Sequence, residues 1–364
     1  MKTVKHQPTG PSLTDVTKIG RQAVKFSLIG LVVLMVGRIF LSALVGFWQA
    51  THPEPPPPPT VGFGKLPPIE FPAKTEVKKP QSYTLETADG RIPSFGDRAK
   101  VFLMPKSSPS LLADEQVRQI AASYNFIFEP EVLDSRTYRW TKSQPLEAVF
   151  EIDVQNHNFT LTTDYLTRPE LLLKNNLPDD FEAVSRVKTF LRKADLLPAD
   201  VATAAGDIRY LKALGNDLGT AASLSDADFI EVNLNRVPVD GKYQMYTSQA
   251  NQGTIQAIIA GALKGDNSIV QLKYYYHPVD KTIVETYPLR SSQQAWKILQ
   301  AGEGYIVAAG EQEEAVIRQV ELGYFDSLTE QQFLQPIYVF KGDSGFLGYV
   351  PALDPREVDN SINN

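Results

Sequence analysis

The sequence of 364 residues contains no cysteine and only four histidines. Without cysteine, the protein forms no disulfide, has no thiolate nucleophile and offers no thiolate ligand to a metal. His6 lies in the N-terminal tail and His52 beside a long apolar run, so His157 and His277 remain as candidates for chemistry. The sequence also lacks a Gly-rich phosphate-binding loop. These absences argue against thiol enzymes, zinc enzymes and P-loop enzymes.

Clustered basic residues are scarce over most of the chain. Residues 1–25 carry a net charge of +4, whereas the residues beyond Arg38 carry 30 basic and 41 acidic groups, a net charge of −11. Nucleic acid and anionic lipid surfaces are both bound through clustered Lys and Arg. The sequence therefore predicts that the larger part of the protein binds no nucleic acid and does not lie flat on lipid.

An apolar run of 23 residues extends from Phe26 to Trp48. At about 1.5 Å per residue, a helix of this length crosses a hydrocarbon core of about 30 Å. A cleaved signal peptide is the competing interpretation, but its apolar region is normally only about 7–15 residues long. We therefore predict a transmembrane helix over residues 26–48 that is retained as an anchor.

The charges around this run predict its orientation. Five basic residues and a single acid, Asp15, precede the run. The positive-inside rule then makes residues 1–25 a cytoplasmic tail and places the chain after Trp48 outside the plasma membrane. Arg38 lies within the run, where its side chain either snorkels to the interface or contacts an acidic residue of another membrane protein. We take Arg38 as a candidate intramembrane contact.

Proline dominates the segment that follows. Ten prolines lie between residues 51 and 80. Because proline fixes φ and removes a hydrogen-bond donor, such a segment favours extended polyproline II structure. We predict a proline-rich stalk over residues 49–80, and a disordered polar tail over residues 354–364.

Between the predicted stalk and tail, the sequence pattern indicates an α+β fold. Helical periodicity predicts helices over residues 112–124, 180–196 and 292–301, and a less distinct one over 200–214. Alternating patterns predict antiparallel strands over residues 148–154, 230–234, 270–276 and 316–324, with one polar face. His277–Asp280 has the composition of a hairpin turn. We predict two α+β lobes, residues 81–178 and 179–353, in which helices cover antiparallel sheets.

Three local motifs suggest chemistry, but each has a structural explanation. Gly342–Gly345 matches the sequence around a trypsin-like nucleophile, yet it lies between two apolar runs where a hairpin needs a turn. The acids Asp226, Asp228 and Glu231 lack the spacing of a calcium loop. In Tyr274–Tyr276, alternation leaves Tyr275 on the outer face as a candidate surface-binding residue. We assign no catalytic, cofactor-binding or metal-binding residue and predict no cofactor.

The C-terminal part resembles a known group of proteins over about 60 residues. The motifs that carry this resemblance are Ala295-Trp296-x-x-Leu299-x-x-Gly302, Val320-x-Leu322-Gly323-Tyr324, Gln335-Pro336-Ile337-Tyr338-Val339-Phe340 and Tyr349-Val350-Pro351-Ala352. The stretch is similar to the end of YycH/YycI-type regulatory proteins and their PepSY-like relatives, and residues 112–163 resemble a PepSY-like unit more loosely. This resemblance implies a single-span protein with an extracytoplasmic α+β domain. Some members of the group restrain a sensor kinase through membrane contact.

These observations predict a membrane-anchored, extracytoplasmic and non-enzymatic protein that binds or regulates another membrane or envelope component. Two alternatives remain open. One is an envelope hydrolase that uses carboxylates scattered in the sequence, because the separation of a carboxylate pair is a property of the folded chain. The other is a structural spacer.

Overall fold

The computed structural model describes residues 13–51, 57–73, 78–108, 110–172, 176–310 and 313–359. The chain divides into two compact units, Met1–Pro58 and Pro59–Asn364. The first unit contains one long helix, α1 (Leu13–Thr51). Its segment Gly20–Trp48 is long and apolar enough to cross a membrane. This segment contains the predicted span, and α1 begins earlier than expected, within the region predicted as a tail.

The second unit contains four α-helices in its described residues, α2 (Ala113–Ser123), α3 (Asp180–Lys193), α4 (Ala199–Ala202) and α5 (Ser292–Gln300). Their starts follow from capping. The Asp179 side chain accepts a hydrogen bond from the backbone of Glu182, and Ser291 and Gln294 form a reciprocal capping box. The three distinct helix predictions are confirmed. The fourth is wrong, because after α4 the chain becomes extended.

The strands provide most of the remaining structure. Those of the first half are β1 (Ser82–Leu85), β2 (Arg98–Leu103), β3 (Glu131–Val132), β4 (Thr137–Lys142), β5 (Ala148–Asp153), β6 (Phe159–Thr163), β7 (Gly206–Leu214) and β8 (Asp217–Thr220). The others are β9 (Phe229–Leu234), β10 (Met245–Tyr246), β11 (Ile255–Ala260), β12 (Ile269–Tyr274), β13 (Asp280–Pro288), β14 (Tyr305–Ala308), β15 (Glu314–Phe325), β16 (Phe333–Gly342) and β17 (Leu347–Pro351).

One sheet has nine strands in the order β3-β4-β5-β6-β12-β11-β9-β7-β8, and every pairing in it is antiparallel. Helices α2 and α3 cover one face, where Tyr124 stacks on Phe190 with ring centroids 4.1 Å apart. A second apolar cluster that includes Phe229 and Val270 covers the other face. Strand β9 is consequently buried on both faces. The predicted polar face of this strand was therefore wrong.

The other sheet has eight strands and is centred on β15 and β16. Its main order is β1-β15-β16-β17-β14, with β10 paired to β15 and β2 paired to both β13 and β16. Most pairings are antiparallel, whereas β1 and β10 each run parallel to β15. Helix α5 packs Ala295 and Leu299 against the inner face of this sheet. The predicted α+β class with helix-covered, mainly antiparallel sheets is confirmed.

The sheets do not follow the predicted boundary between lobes at residues 178 and 179. Strand β12, which lies far beyond that boundary, pairs with β6 before it. Strands β1 and β2 join the eight-stranded sheet with strands from the C-terminal part. His277–Asp280 is also no hairpin turn, because β12 belongs to the nine-stranded sheet and β13 pairs with β2 in the other. Long-range pairing of this kind leaves no local signal in the sequence.

Both ends of the folded unit are more ordered than predicted. Part of the predicted stalk packs against the sheets, with Leu66 fully buried and Phe71 stacked on Tyr305. Leu66 forms a parallel bridge with Val358, which lies in the predicted tail. The apolar residues between the prolines explain this docking, since each gains by leaving water. Residues 52–56, 74–77 and 360–364 of the predicted stalk and tail lie outside the described residues.

Candidate functional site

A cleft of about 970 Å³ opens where the two sheets of the second unit meet. We call it the central cleft. Residues at the ends of β7 and β9 line one side, and residues of β10, β15, β16 and β17 line the other. The lining contains both apolar and polar side chains, and six of the polar ones are amides: Asn233, Asn235, Gln244, Gln249, Asn251 and Gln252.

On the side of the eight-stranded sheet, Glu321 organises the lining. Its carboxylate accepts a hydrogen bond from the Tyr246 hydroxyl and lies 2.9 Å from the Lys341 ammonium. The same ammonium lies 5.2 Å from the centre of the Tyr246 ring. Burial, reinforced by the bond to Glu321, raises the pKa of Tyr246. Tyr246 therefore remains a protonated hydrogen-bond donor, and the three side chains hold one another in place.

On the side of the nine-stranded sheet, neighbouring strands present amides and a carboxylate. The Asn235 amide donates to the Asp207 carboxylate across 2.5 Å. Asn233 is 1% exposed, and its oxygen accepts from the Gln256 amide at 3.3 Å. Asn233 therefore helps to build the wall, whereas the exposed Gln244 and Gln249 are available to a ligand.

Arg236, which lines the cleft, belongs to a buried charged cluster that we call the Arg236 cluster: Arg236, Asp200, Asp326, Tyr276 and His277. The Arg236 guanidinium bonds the Asp200 carboxylate at 2.7 Å and lies 3.4 Å from that of Asp326. It also donates to the His277 carbonyl at 3.0 Å and lies over the Tyr276 ring. Because Arg236 follows β9 and Asp326 follows β15, the cluster joins the two sheets.

Burial governs the protonation of this cluster. It lowers the pKa of the His277 imidazole, although the nearby Asp326 opposes this change. Burial also raises the pKa of the Asp326 carboxyl, against the effect of Arg236. For Arg236 itself, burial acts to lower the pKa, but its acidic neighbours outweigh burial and hold it above the ordinary value. The guanidinium is thus the fixed charge around which the other groups are arranged.

The two residues singled out from the sequence lie apart from the central cleft. Tyr275 is half-buried in a shallow groove of about 380 Å³ beside Glu151 and His277, and burial raises its pKa. Arg38 is exposed on α1, in the first unit. The roles suggested for Tyr275 and Arg38 remain predictions.

The structure explains the other motifs as local features of the fold. Asp343–Gly345 forms the turn between β16 and β17, as predicted, and Ser344 has a positive φ of 53°. His277 contacts the Asn158 amide at 3.2 Å rather than a serine hydroxyl. Asp226 and Glu231 are paired with Lys212 and Arg209. In the described part of the chain, no group of three or more acidic or histidine side chains is placed to hold a metal ion.

The central cleft was not predicted from the sequence. Its residues come from five regions of the sequence, 203–207, 233–238, 244–252, 321 and 341–349, and only folding brings them together. A partial signal was present in Asn233, Asn235 and Arg236, which are polar residues at the end of a strand whose other residues are apolar except for Glu231. A polar residue in such a position indicates either a buried network or a site, and here it contributes to both.

Comparison with known proteins gives limited help. No family model matches the chain, and no curated protein does. The Bacillus megaterium YpeB C-terminal domain is similar at 10% identity over 68% of this chain and 94% of that one, with a TM-score of 0.32. An uncharacterized protein from Eubacterium rectale is similar at 11% identity over 70% of this chain and 82% of that one, also with a TM-score of 0.32. Similarity this weak carries no argument about function.

Proposed function

We propose that this protein is a membrane-anchored, non-enzymatic binding protein whose central cleft holds an uncharged polar ligand of the carbohydrate class. The six amides that line the cleft carry this proposal. A side-chain amide both donates and accepts hydrogen bonds, as sugar hydroxyl groups do. The half-buried Tyr246 adds an aromatic surface beside them.

The charges in the cleft support an uncharged ligand. Two carboxylates, Asp207 and Glu321, are balanced by two cations, Arg236 and Lys341. All four groups already bond other side chains. A phosphate or nucleotide would need free cations and find none among these groups. The acidic balance of the chain beyond Arg38 agrees with this conclusion.

The position of the protein is part of the proposal. Helix α1 supplies the anchor, and the basic residues before its apolar run favour a cytoplasmic N-terminus in the plasma membrane. The folded unit then lies outside, where envelope glycans are accessible. The resemblance to YycH/YycI-type proteins adds a regulatory role through a membrane partner, with Arg38 as the candidate contact.

Ligand binding is tested by titrating the full-length chain in lipid nanodiscs with soluble oligomers of N-acetylglucosamine. We expect saturable binding that the double variant Gln244→Ala/Gln249→Ala weakens about 10-fold or more, since each lost hydrogen bond contributes about 0.5–1.5 kcal/mol. Gln81→Ala is the matched control, because Gln81 is an exposed amide outside the cleft. Absence of binding to the wild type, or equal loss in the control, contradicts the proposal.

The partner hypothesis has a separate test. Crosslinking in native membranes should capture a membrane protein, and Arg38→Leu should reduce this capture if an intramembrane ion pair contributes. A soluble fragment without α1 should retain the same partner poorly, since tethering raises apparent affinity about 10²–10⁴-fold. Unchanged capture by Arg38→Leu and by the fragment would reduce α1 to a plain anchor.

A hydrolase remains the second candidate, because Asp207 and Glu321 both line the cleft. In that case one carboxyl would donate a proton to the leaving group and the other would activate water or attack the sugar. The test is release of reducing ends from a glycan polymer by the wild type, compared with Asp207→Asn and Glu321→Gln. Turnover that both variants abolish would replace the non-enzymatic proposal with this one.

A further inference from the structure

A second pocket, of about 400 Å³, lies in the second unit and shares no lining residue with the central cleft. We call it the Arg290 pocket. Its walls are mostly apolar, with Gln335 and Glu303 among the polar residues, and the rings of Phe71 and Tyr305 stack at its side with centroids 4.5 Å apart. Three prolines, Pro68, Pro351 and Pro355, complete these walls. The pocket thus combines an apolar lining with one half-buried cation, Arg290.

Arg290 is held rigidly from one side. Its backbone N–H donates to the Ala352 carbonyl at 2.9 Å, and its Nε donates to the Leu353 carbonyl at 3.1 Å. Its own carbonyl accepts from the Tyr338 hydroxyl at 2.7 Å. These bonds fix the backbone of Arg290 and the Nε atom of its side chain. The two terminal nitrogens contact no carboxylate in the part of the chain that the structure describes.

This arrangement differs from that of other arginines in the protein. Arg98, Arg318 and Arg356 each bond a carboxylate within 3.0 Å. Among the residues that the structure describes, the carboxylate that influences the Arg290 guanidinium is that of Asp354, which already bonds Arg356. Burial accordingly lowers the pKa of Arg290, whereas a carboxylate partner raises the pKa of Arg318. A desolvated guanidinium without an anion has much to gain from one.

We propose that the Arg290 pocket binds a carboxylate carried on an apolar group, as at the C-terminal residue of a peptide. The terminal nitrogens of Arg290 form the planar pair of donors that matches a carboxylate. The aromatic and proline walls accept the apolar group beside it. Glu303 is exposed at the rim and disfavours ligands with a second negative charge.

The test uses the full-length chain in lipid nanodiscs and three probes. N-acetylphenylalanine carries the carboxylate, its amide has the same shape without the charge, and the peptide Ala-Ala-Phe presents the carboxylate at a chain end. We expect the first probe to bind at least about 10-fold more tightly than its amide, measured by NMR titration. Tighter binding of the peptide identifies a chain end as the ligand, whereas equal binding identifies a free acid.

Three variants test whether Arg290 causes the preference for the acid over the amide. Arg290→Gln should lose the preference for acid over amide, while Arg91→Gln, which removes an exposed charge elsewhere, should retain it. Glu303→Gln should tighten binding of the acid about 2-fold by removing a nearby negative charge. This variant leaves Arg290 in place, so it tests the proposal even if Arg290→Gln unfolds. Equal binding of acid and amide to the wild type overturns the proposal, as does an unchanged preference in a folded Arg290→Gln protein.

Discussion

Arg236 and Arg290 are both withdrawn from water, but their surroundings differ. The Arg236 side chain is 2% exposed, and its guanidinium contacts two carboxylates, a carbonyl and an aromatic ring. Around Arg290, the Leu353 carbonyl accepts from Nε, and the residue lines the Arg290 pocket. The same side chain therefore joins two sheets in one region and remains open to a ligand in the other. Residue type alone does not distinguish these two roles.

The largest expected effect is on stability, where the two arginines should differ most. Arg236→Gln should lower the free energy of unfolding by about 3–5 kcal/mol, because it leaves Asp200 and Asp326 buried without their counter-ion. The measurement is chemical denaturation of the full-length chain in nanodiscs, followed by tryptophan fluorescence. A loss below about 1 kcal/mol would mean that the Arg236 cluster does not hold the sheets together.

The sequence predicts much of the local structure because the signals involved are local. The box formed by Ser291 and Gln294 marks the start of α5, and apolar periodicity marks α2 and α3. Gly342–Gly345 was correctly predicted as a turn, since it separates two apolar runs. These features depend on residues within a few positions of one another.

Features that depend on distant pairing were missed. The chain after β12 leaves the nine-stranded sheet at His277, and only the pairing of β13 with β2 reveals this. The segment 206–214 was predicted as a helix, yet pairing with β8 and β9 makes it strand β7. The central cleft and the Arg290 pocket both lie where distant segments meet, so neither was predictable.

The second prediction concerns the fully buried acid of the Arg236 cluster. Asp326→Asn keeps the shape of the side chain and leaves Arg236 bonded to Asp200. We therefore expect a smaller loss than for Arg236→Gln, about 1–2 kcal/mol by the same denaturation measurement. Equal losses in the two variants would show that Asp326 is the essential partner of Arg236 and that Asp200 contributes little.

The third prediction uses pH. Burial lowers the pKa of His277, and the positive charge of Arg236 acts in the same direction. The negative charges of Asp326 and Glu330 act to raise this pKa. The unfolded chain therefore binds a proton on this histidine more readily, and the stability due to neutral His277 is lost as pH falls below about 6.5.

Relative to His277→Gln, the wild type should accordingly lose up to about 1 kcal/mol between about pH 7 and pH 5. Thermal unfolding of both proteins at several pH values measures the difference. A difference that stays constant over this range would mean that His277 titrates normally and that the Arg236 cluster is open to water.

The smallest expected effect completes the comparison of the two arginines. Arg290→Gln removes one hydrogen bond to Leu353 and also one half-buried charge that lacks an anion. The two changes act in opposite directions, so the free energy of unfolding should change by no more than about 0.5 kcal/mol. The measurement is the same denaturation series without ligand, with Arg91→Gln as the control. A loss of several kcal/mol, as expected for Arg236→Gln, would show that Arg290 is structural. A loss of that size requires a guanidinium whose hydrogen bonds are made to other groups of the folded protein.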